Sequence, residues 1–242
     1  MIVNTRAIVL SHLRYGESSL IVHLYTEQLG RQAVFIKGAY NKKSSMRTAL
    51  FQPLHLLEIE IHYRSNRQMQ RISNVRLLQP LHNILFDPVK NSIALFTAEL
   101  LYKTLREEEA YHELFGFLLH SIQTLDLIDK GIANFHLIFM IHYTRYLGFY
   151  PNMDDLSENA WFDAQKGNFT IYPSKSSPDP EYNQLLAQLF GTSFNHISHM
   201  KMNHLQRNYF TEYLLTYYEI HVDNFGKMKS FAVLKDVFQN IV

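Results

Sequence analysis

The segment Lys37-Gly-Ala-Tyr-Asn-Lys-Lys-Ser-Ser-Met-Arg47 brings four cations, a glycine and a tyrosine into one short stretch. Lysine and arginine neutralise phosphates, and a tyrosine ring stacks on an unpaired base. That combination suits a single nucleic-acid strand. The same residues also fit a solvated surface loop, the common fate of charge clusters. The surrounding sequence favours the first reading. Residues 1–80 hold eleven cations against Glu17, Glu27, Glu58 and Glu60, a net +7, and the remaining chain carries −6. The overall charge of +1 therefore conceals a basic first third and an acidic remainder. Such asymmetry points to a polyanion partner for the basic part. Candidate phosphate contacts are Lys37, Lys42, Lys43, Arg47, Arg64, Arg67 and Arg71, with Arg14 and Arg31 beside them. Tyr40 is the stacking candidate.

Other chemistries find little support. The chain has no cysteine, which excludes a disulfide framework, a Cys nucleophile, an iron–sulfur cluster and a Cys-based zinc site. Thirteen histidines invite a metal reading, but His199 and His204 are five apart and face different directions on one helix. No HExxH, GxSxG, P-loop or GxGxxG pattern occurs. No metal, no cofactor and no catalysis are expected. Glu107-Glu-Glu109 reads as complementing the dipole at a helix start, and the tyrosines of residues 205–221 as packing. His142 and Arg145 interrupt an apolar helical stretch. They fit either a pocket for a partner's carboxylate or internal hydrogen bonding.

These residues need a scaffold. Ala7–Leu10, Leu20–Tyr25, Arg31–Lys37, the alternating run Leu57–Tyr63 and Gln68–Val75 read as five strands. Five short strands in this length suggest a small barrel or a sandwich. After Pro80 the pattern turns helical. Asp87-Pro88 is a capping pair. Ile93, Phe96 and Leu100 mark one helix, and Leu114, Leu118, Ile122 and Leu125 another, closed by Gly131. Asn134–Leu147 is apolar nearly all round and should be buried. Residues 151–179 read as a loop or small β insert. A short helical pattern follows around Leu186, ending at Gly191, then a longer one through Leu205, Tyr209, Tyr213 and Tyr217, and a last short one around Leu234. The expected domains are 1–80 and 81–242, with the insert at about 151–180. The start does not read as a signal peptide. The most apolar stretch, Phe135–Arg145, is too short to span a bilayer. A soluble, cytoplasmic protein with no membrane contact is expected.

Several motifs in order resemble the RecO family of bacterial recombination mediators. Arg14-Tyr-Gly-Glu-Ser-Ser-Leu20 is similar to its Y-G-E-S/T segment, and Tyr25-Thr-Glu-Gln-Leu-Gly30 to its T-x-x-x-G turn. Phe35-Ile-Lys-Gly-Ala39 resembles A-K-G-A/V-R, and Leu50-Phe-Gln-Pro53 the L-x-P-F/L entry to the next strand. Tyr146-Leu-Gly-Phe-Tyr-Pro151 resembles L-G-x-x-P, and Tyr217-Tyr-Glu-Ile-His221 with Met228-Lys-Ser230 the family's C-terminal segment. The resemblance implies an α+β protein, an N-terminal five-stranded OB-fold barrel followed by an all-α helical domain with a small insert. It implies binding of single- and double-stranded DNA, strand annealing, and work with the RecR ring. It also implies contact with the acidic C-terminal tail of single-stranded-DNA-binding protein (SSB), so that RecA can load, and a nucleoid-associated location.

Two departures stand out. Many relatives carry a four-Cys zinc module after the L-G-x-x-P segment, whereas Asn152–Tyr182 holds no cysteine. Trp161, Phe162 and Phe169 are expected to stabilise that zinc-free insert by packing. Some relatives also have basic residues at the start of the central helix, where this chain has Ala133 and Asn134, with Lys130 the nearest cation. Lys130, His142 and Arg145 are the candidate tail pocket. A rival reading keeps the basic barrel but makes it an adaptor for acidic peptides, with DNA contact incidental.

Overall fold

The computed structural model describes residues 1–40, 45–157 and 160–241. The chain forms two compact units, Met1–Leu127 with Met228–Ser230, and Ile128–Lys227 with Phe231–Val242.

The first unit is built on strands β1 (Ile2–Tyr15), β2 (Ser19–Thr26), β3 (Gly30–Ile36), β4 (Leu56–His62) and β5 (Arg71–Gln79), all paired antiparallel in the order β3-β2-β1-β4-β5. The two edge strands meet where Val34 bridges Gln70, so the sheet closes into a barrel. This settles the barrel-or-sandwich choice for the barrel. Alternation explains the closure: Val3, Ala7, Val9, Leu20, Val22, Leu24, Val34, Leu57, Ile59 and Ile61 all face inward and are buried. Each Val, Leu or Ile side chain among them contributes about 1.5–3 kcal/mol on burial. Phe51, just after the short helix α1 (Ser45–Leu50), joins this core.

Strand β1 extends well beyond the apolar run Ala7–Leu10. Its first half pairs with β4 and its second half with β2. The register shifts between Val9 and Ser11, leaving Leu10 as a bulge. The bulge inverts the alternation. Before it the odd-numbered residues face the core; after it Ser11, Leu13 and Tyr15 pair with His23, Ile21 and Ser19 on the outer face.

Helices α2 (His82–Phe86), α3 (Pro88–Thr104) and α4 (His112–Leu127) belong to the same unit. Asp87 caps α3 by accepting from Val89 and Lys90 amides, with Pro88 in the first turn. α3 packs on β1, and Phe115 of α4 stacks near Tyr25. The segment before α4 lies directly on Gly30. That residue has φ +59°, and a Cβ there would stand 2.3 Å from the Glu109 carbonyl oxygen. The Arg31 amide donates to the Glu107 carbonyl at 2.9 Å. Glu107–Glu109 therefore dock by their backbone against β3 and do not open a helix; the acid in the first turn of α4 is Glu113. Nor does Gly131 end α4, which stops at Leu127. Gly131, in the left-handed region, precedes a 3-10 turn at Ile132–Asn134.

The second unit surrounds α5 (Phe135–Leu147), whose residues are almost all buried, as the sequence predicts. Gly148 closes it in the left-handed region, its amide donating to Thr144. Around it lie the hairpin β6 (Trp161–Asp163) and β7 (Asn168–Thr170), then α6 (Asn183–Phe190), α7 (His204–His221) and α8 (Ser230–Ile241). The α7 tyrosines are packing residues that also satisfy carbonyls: Tyr213 donates to Ser176, Tyr217 to Phe149 and Tyr218 to Met140. In the insert, Phe162 and Phe169 are buried against Phe190, and Phe162 also meets Tyr217, while Trp161 is only half-buried. His196 and His199 lie on a 3-10 segment, and His204 opens α7, so the three do not share a helix. Among the described residues no group of His, Asp and Glu could hold a metal ion, and no helix is long and apolar enough to cross a membrane.

Candidate nucleic-acid interface

Seven cations of the barrel divide into two groups. Arg6 pairs with Glu27, and Arg76 with Glu58, across the outer face of β1, β4 and β5. The Glu27 hydrogen bond raises the Arg6 pKa, and Arg6 in turn lowers that of Glu27. These pairs cancel locally. The other group, Arg14, Lys37, Arg64, Arg67 and Arg71, is exposed and forms no ion pair among the described residues.

Each of these is placed by a specific local device. Arg14 is the last residue but one of β1, where its guanidinium donates to the Glu17 carbonyl at 2.9 Å and lies 5.0 Å over the Tyr40 ring. Tyr40 is tied to the same turn, its amide donating to the Ser18 carbonyl at 3.2 Å. Lys37 follows β3, and Arg71 begins β5. Together they line a groove of about 450 Å³ with Phe35, Phe51 and Ile72. Arg64 and Arg67 sit in the β4–β5 turn, which is held from inside by Gln70. The buried Gln70 side chain accepts from the Arg64 amide at 3.0 Å and donates to the Arg64 and Arg67 carbonyls, both at 2.9 Å.

Arg31 belongs elsewhere. Its guanidinium donates to the Tyr102 and Leu105 carbonyls and lies 4.6 Å over the Tyr102 ring, so its donors serve packing between β3 and the end of α3. Lys42 and Lys43 lie outside the described residues, as does the Arg47 side chain; the Arg47 backbone is part of α1.

Two features escaped the sequence reading. One is Gln70, a polar residue whose value lies in its burial. The other is an apolar strip on the outer face. Leu13 pairs with Ile21, Ile21 with Phe35, and Tyr15 meets Phe35 edge-to-face at 5.9 Å. The only available signal was the Leu13/Tyr15 alternation, and the polar Ser11-His12 pair masks it.

In the second unit, Lys130 and Arg145 are exposed, and Arg145 lies 4.4 Å over the Tyr150 ring. His142 is half-buried and bonded through Nε2 to the Thr192 carbonyl at 2.9 Å. Burial and the Arg145 charge hold its pKa below the usual value, against the Thr192 bond. His142 thus follows the internal-hydrogen-bond alternative.

The outer face of β2 and β3, flanked by the β1–β2 and β4–β5 turns, is where OB-fold barrels bind oligonucleotides. The unpaired cations gather at the margins of that face. Residues 1–81 match the family model for the recombination protein O N terminal domain, and residues 85–230 that for the C terminal domain. The chain is 38% identical over 243 residues to the DNA repair protein RecO of Bacteroides fragilis, covering 98% of this chain and all of that protein. It is 36% identical to those of Phocaeicola vulgatus and Flavobacterium psychrophilum, with the same coverage. With both domain models matched in order and full-length relatives above a third identical, this chain belongs to the RecO family of DNA repair proteins.

Proposed function

We propose that the protein is a non-enzymatic recombination mediator that binds and anneals DNA strands through its barrel. With RecR, and on DNA coated by SSB, it helps load the recombinase, acting at the nucleoid. The observation that carries this reading is the charge sorting on the barrel. Arg14, Lys37, Arg64, Arg67 and Arg71 are exposed and form no ion pair among the described residues, while Arg6 and Arg76 are neutralised on another face. Unpaired cations flanking one sheet face attract a phosphate backbone and release its counterions. Annealing needs no bond making or breaking by the protein, only charge neutralisation of two strands held close together.

The test is annealing of two complementary labelled oligonucleotides without nucleotide cofactor, alongside titrations with oligonucleotide, RecR and an acidic SSB-tail peptide over a salt series. Accelerated annealing with steeply salt-dependent DNA binding is the expected result. Binding of the peptide without the oligonucleotide would favour the adaptor reading and reject this one.

A further inference from the structure

The outer face of the barrel is arranged in cross-strand rows. Ser11, His23 and Ala33 form one row, and Leu13, Ile21 and Phe35 the next. α3 covers the first, with Tyr102 edge-on to His23 at 5.1 Å. Burial and the Arg31 charge hold the His23 pKa low. The second row is open at its β1 end, with Ile21 and Phe35 half-buried beside it. Leu13 is 61% exposed, and Tyr15, one step further along β1, is 57% exposed. Exposed large apolar side chains in a contiguous strip call for a ligand.

The charges around the strip select its class. Arg14 and Lys37 flank it, and Arg71 stands across the groove that Phe35 lines. Glu17, in the turn after Tyr15, is the one acid in the Arg14–Leu20 segment, and the Lys37–Tyr40 segment has none. An apolar strip bordered by cations complements a ligand with flat apolar groups on an anionic backbone. In a duplex those groups are stacked inside and hidden. In a single strand they are free, and ring stacking binds them with little regard to sequence. The Tyr15 ring is held in advance by its edge-to-face contact with Phe35, so little rotamer freedom remains to be lost on binding.

Resting on the DNA-binding reading above, we infer that Tyr15, backed by Phe35 and Leu13, is the base-stacking platform that makes this barrel prefer unpaired strands over duplex. Cations set the affinity for phosphate in either form; the platform supplies the difference between them. Tyr40 has a lesser part, because Arg14 already covers a face of its ring.

The experiment compares three ligands of equal length, about twelve nucleotides: an oligothymidylate, the same backbone without bases, and a duplex. They are titrated against the full chain and its Tyr15→Ala, Tyr15→Phe and Leu13→Ala variants. The intact chain is expected to bind oligothymidylate at least about ten-fold more tightly than the abasic strand. Tyr15→Ala should remove most of that difference, leave the abasic and duplex affinities unchanged, and keep the salt slope. Tyr15→Phe should retain the preference. Leu13→Ala should weaken oligothymidylate binding to a smaller degree, and serves as the second probe should Tyr15→Ala fail to fold. Equal binding of oligothymidylate and abasic strand by the intact chain overturns the inference while leaving DNA binding intact. So does a Tyr15→Ala loss that is the same for all three ligands. If none of the three ligands binds, DNA binding itself fails and the platform fails with it.

Discussion

The Phe35 amide donates to the Gln70 carbonyl at 3.0 Å, and the Gln70 amide donates in return to Ala33 at 2.8 Å. This pair of bonds closes the barrel between its edge strands. Gln70 also holds the Arg64–Arg67 turn through its side chain, so one residue couples barrel closure to the placement of two cations. Gln70→Ala removes three side-chain hydrogen bonds at a buried site. Stability should fall by about 1–3 kcal/mol, read in a denaturant melt, with weaker DNA binding at matched salt. An unchanged midpoint would show that the turn holds itself.

The unpaired cations should be visible in the ionic-strength dependence. Replacing Arg64, Arg67 and Arg71 by alanine should lower the slope of log affinity against log salt by roughly 2 for single strands. Arg6→Ala should change it far less, because Glu27 already neutralises that charge. Equal slopes for the triple variant and the intact chain would remove these residues from the interface.

Arg31 separates packing from binding. Its guanidinium serves the Tyr102 and Leu105 carbonyls. Arg31→Ala should therefore reduce stability, by about 1–3 kcal/mol for hydrogen bonds made by a charged group, and leave the salt slope unchanged. A reduced slope with full stability would reverse that assignment.

Gly30 combines a positive φ with a close backbone approach. Gly30→Ala puts a methyl group 2.3 Å from the Glu109 oxygen and strains the turn at once. A loss on the order of 4 kcal/mol is expected, seen as a much lower melting temperature or failure to accumulate. Near-normal melting would mean that the segment at 107–109 moves away freely.

The second unit should lose stability in acid through His136. This residue is fully buried, its Nε2 2.8 Å from Thr211 Oγ1. Burial, helped by the Arg207 charge, pushes its pKa down to about 3. The folded chain keeps it neutral, whereas the unfolded chain protonates it near pH 6.5. Its contribution is therefore complete above about pH 6.5 and is lost as pH falls from there towards 3, at up to about 1.4 kcal/mol per pH unit. Stability measured across that range should show a shallower slope in His136→Gln. An identical slope would place the acid sensitivity in other groups.

Much of this protein was legible in one dimension. Local rules sufficed where a few neighbouring residues decide the outcome. Asp87-Pro88 starts α3 because a carboxylate and a fixed φ meet the first turn's free amides. The run before Gly148 is buried as α5 because it is apolar nearly all round, with Arg145 the exposed exception. The +7 on residues 1–80 is a property of composition and needs no fold. Which of those charges are free is different. Arg6 and Arg76 are silenced, and Arg31 is turned into packing, by partners 21, 18 and more than 70 residues away in sequence. The exposed strip is likewise a tertiary outcome. Strict alternation would send Leu13 and Tyr15 into the barrel, and the bulge at Leu10 puts them outside. A bulge is decided by how two strands match in register across the sheet, and that match does not exist until both strands are in place.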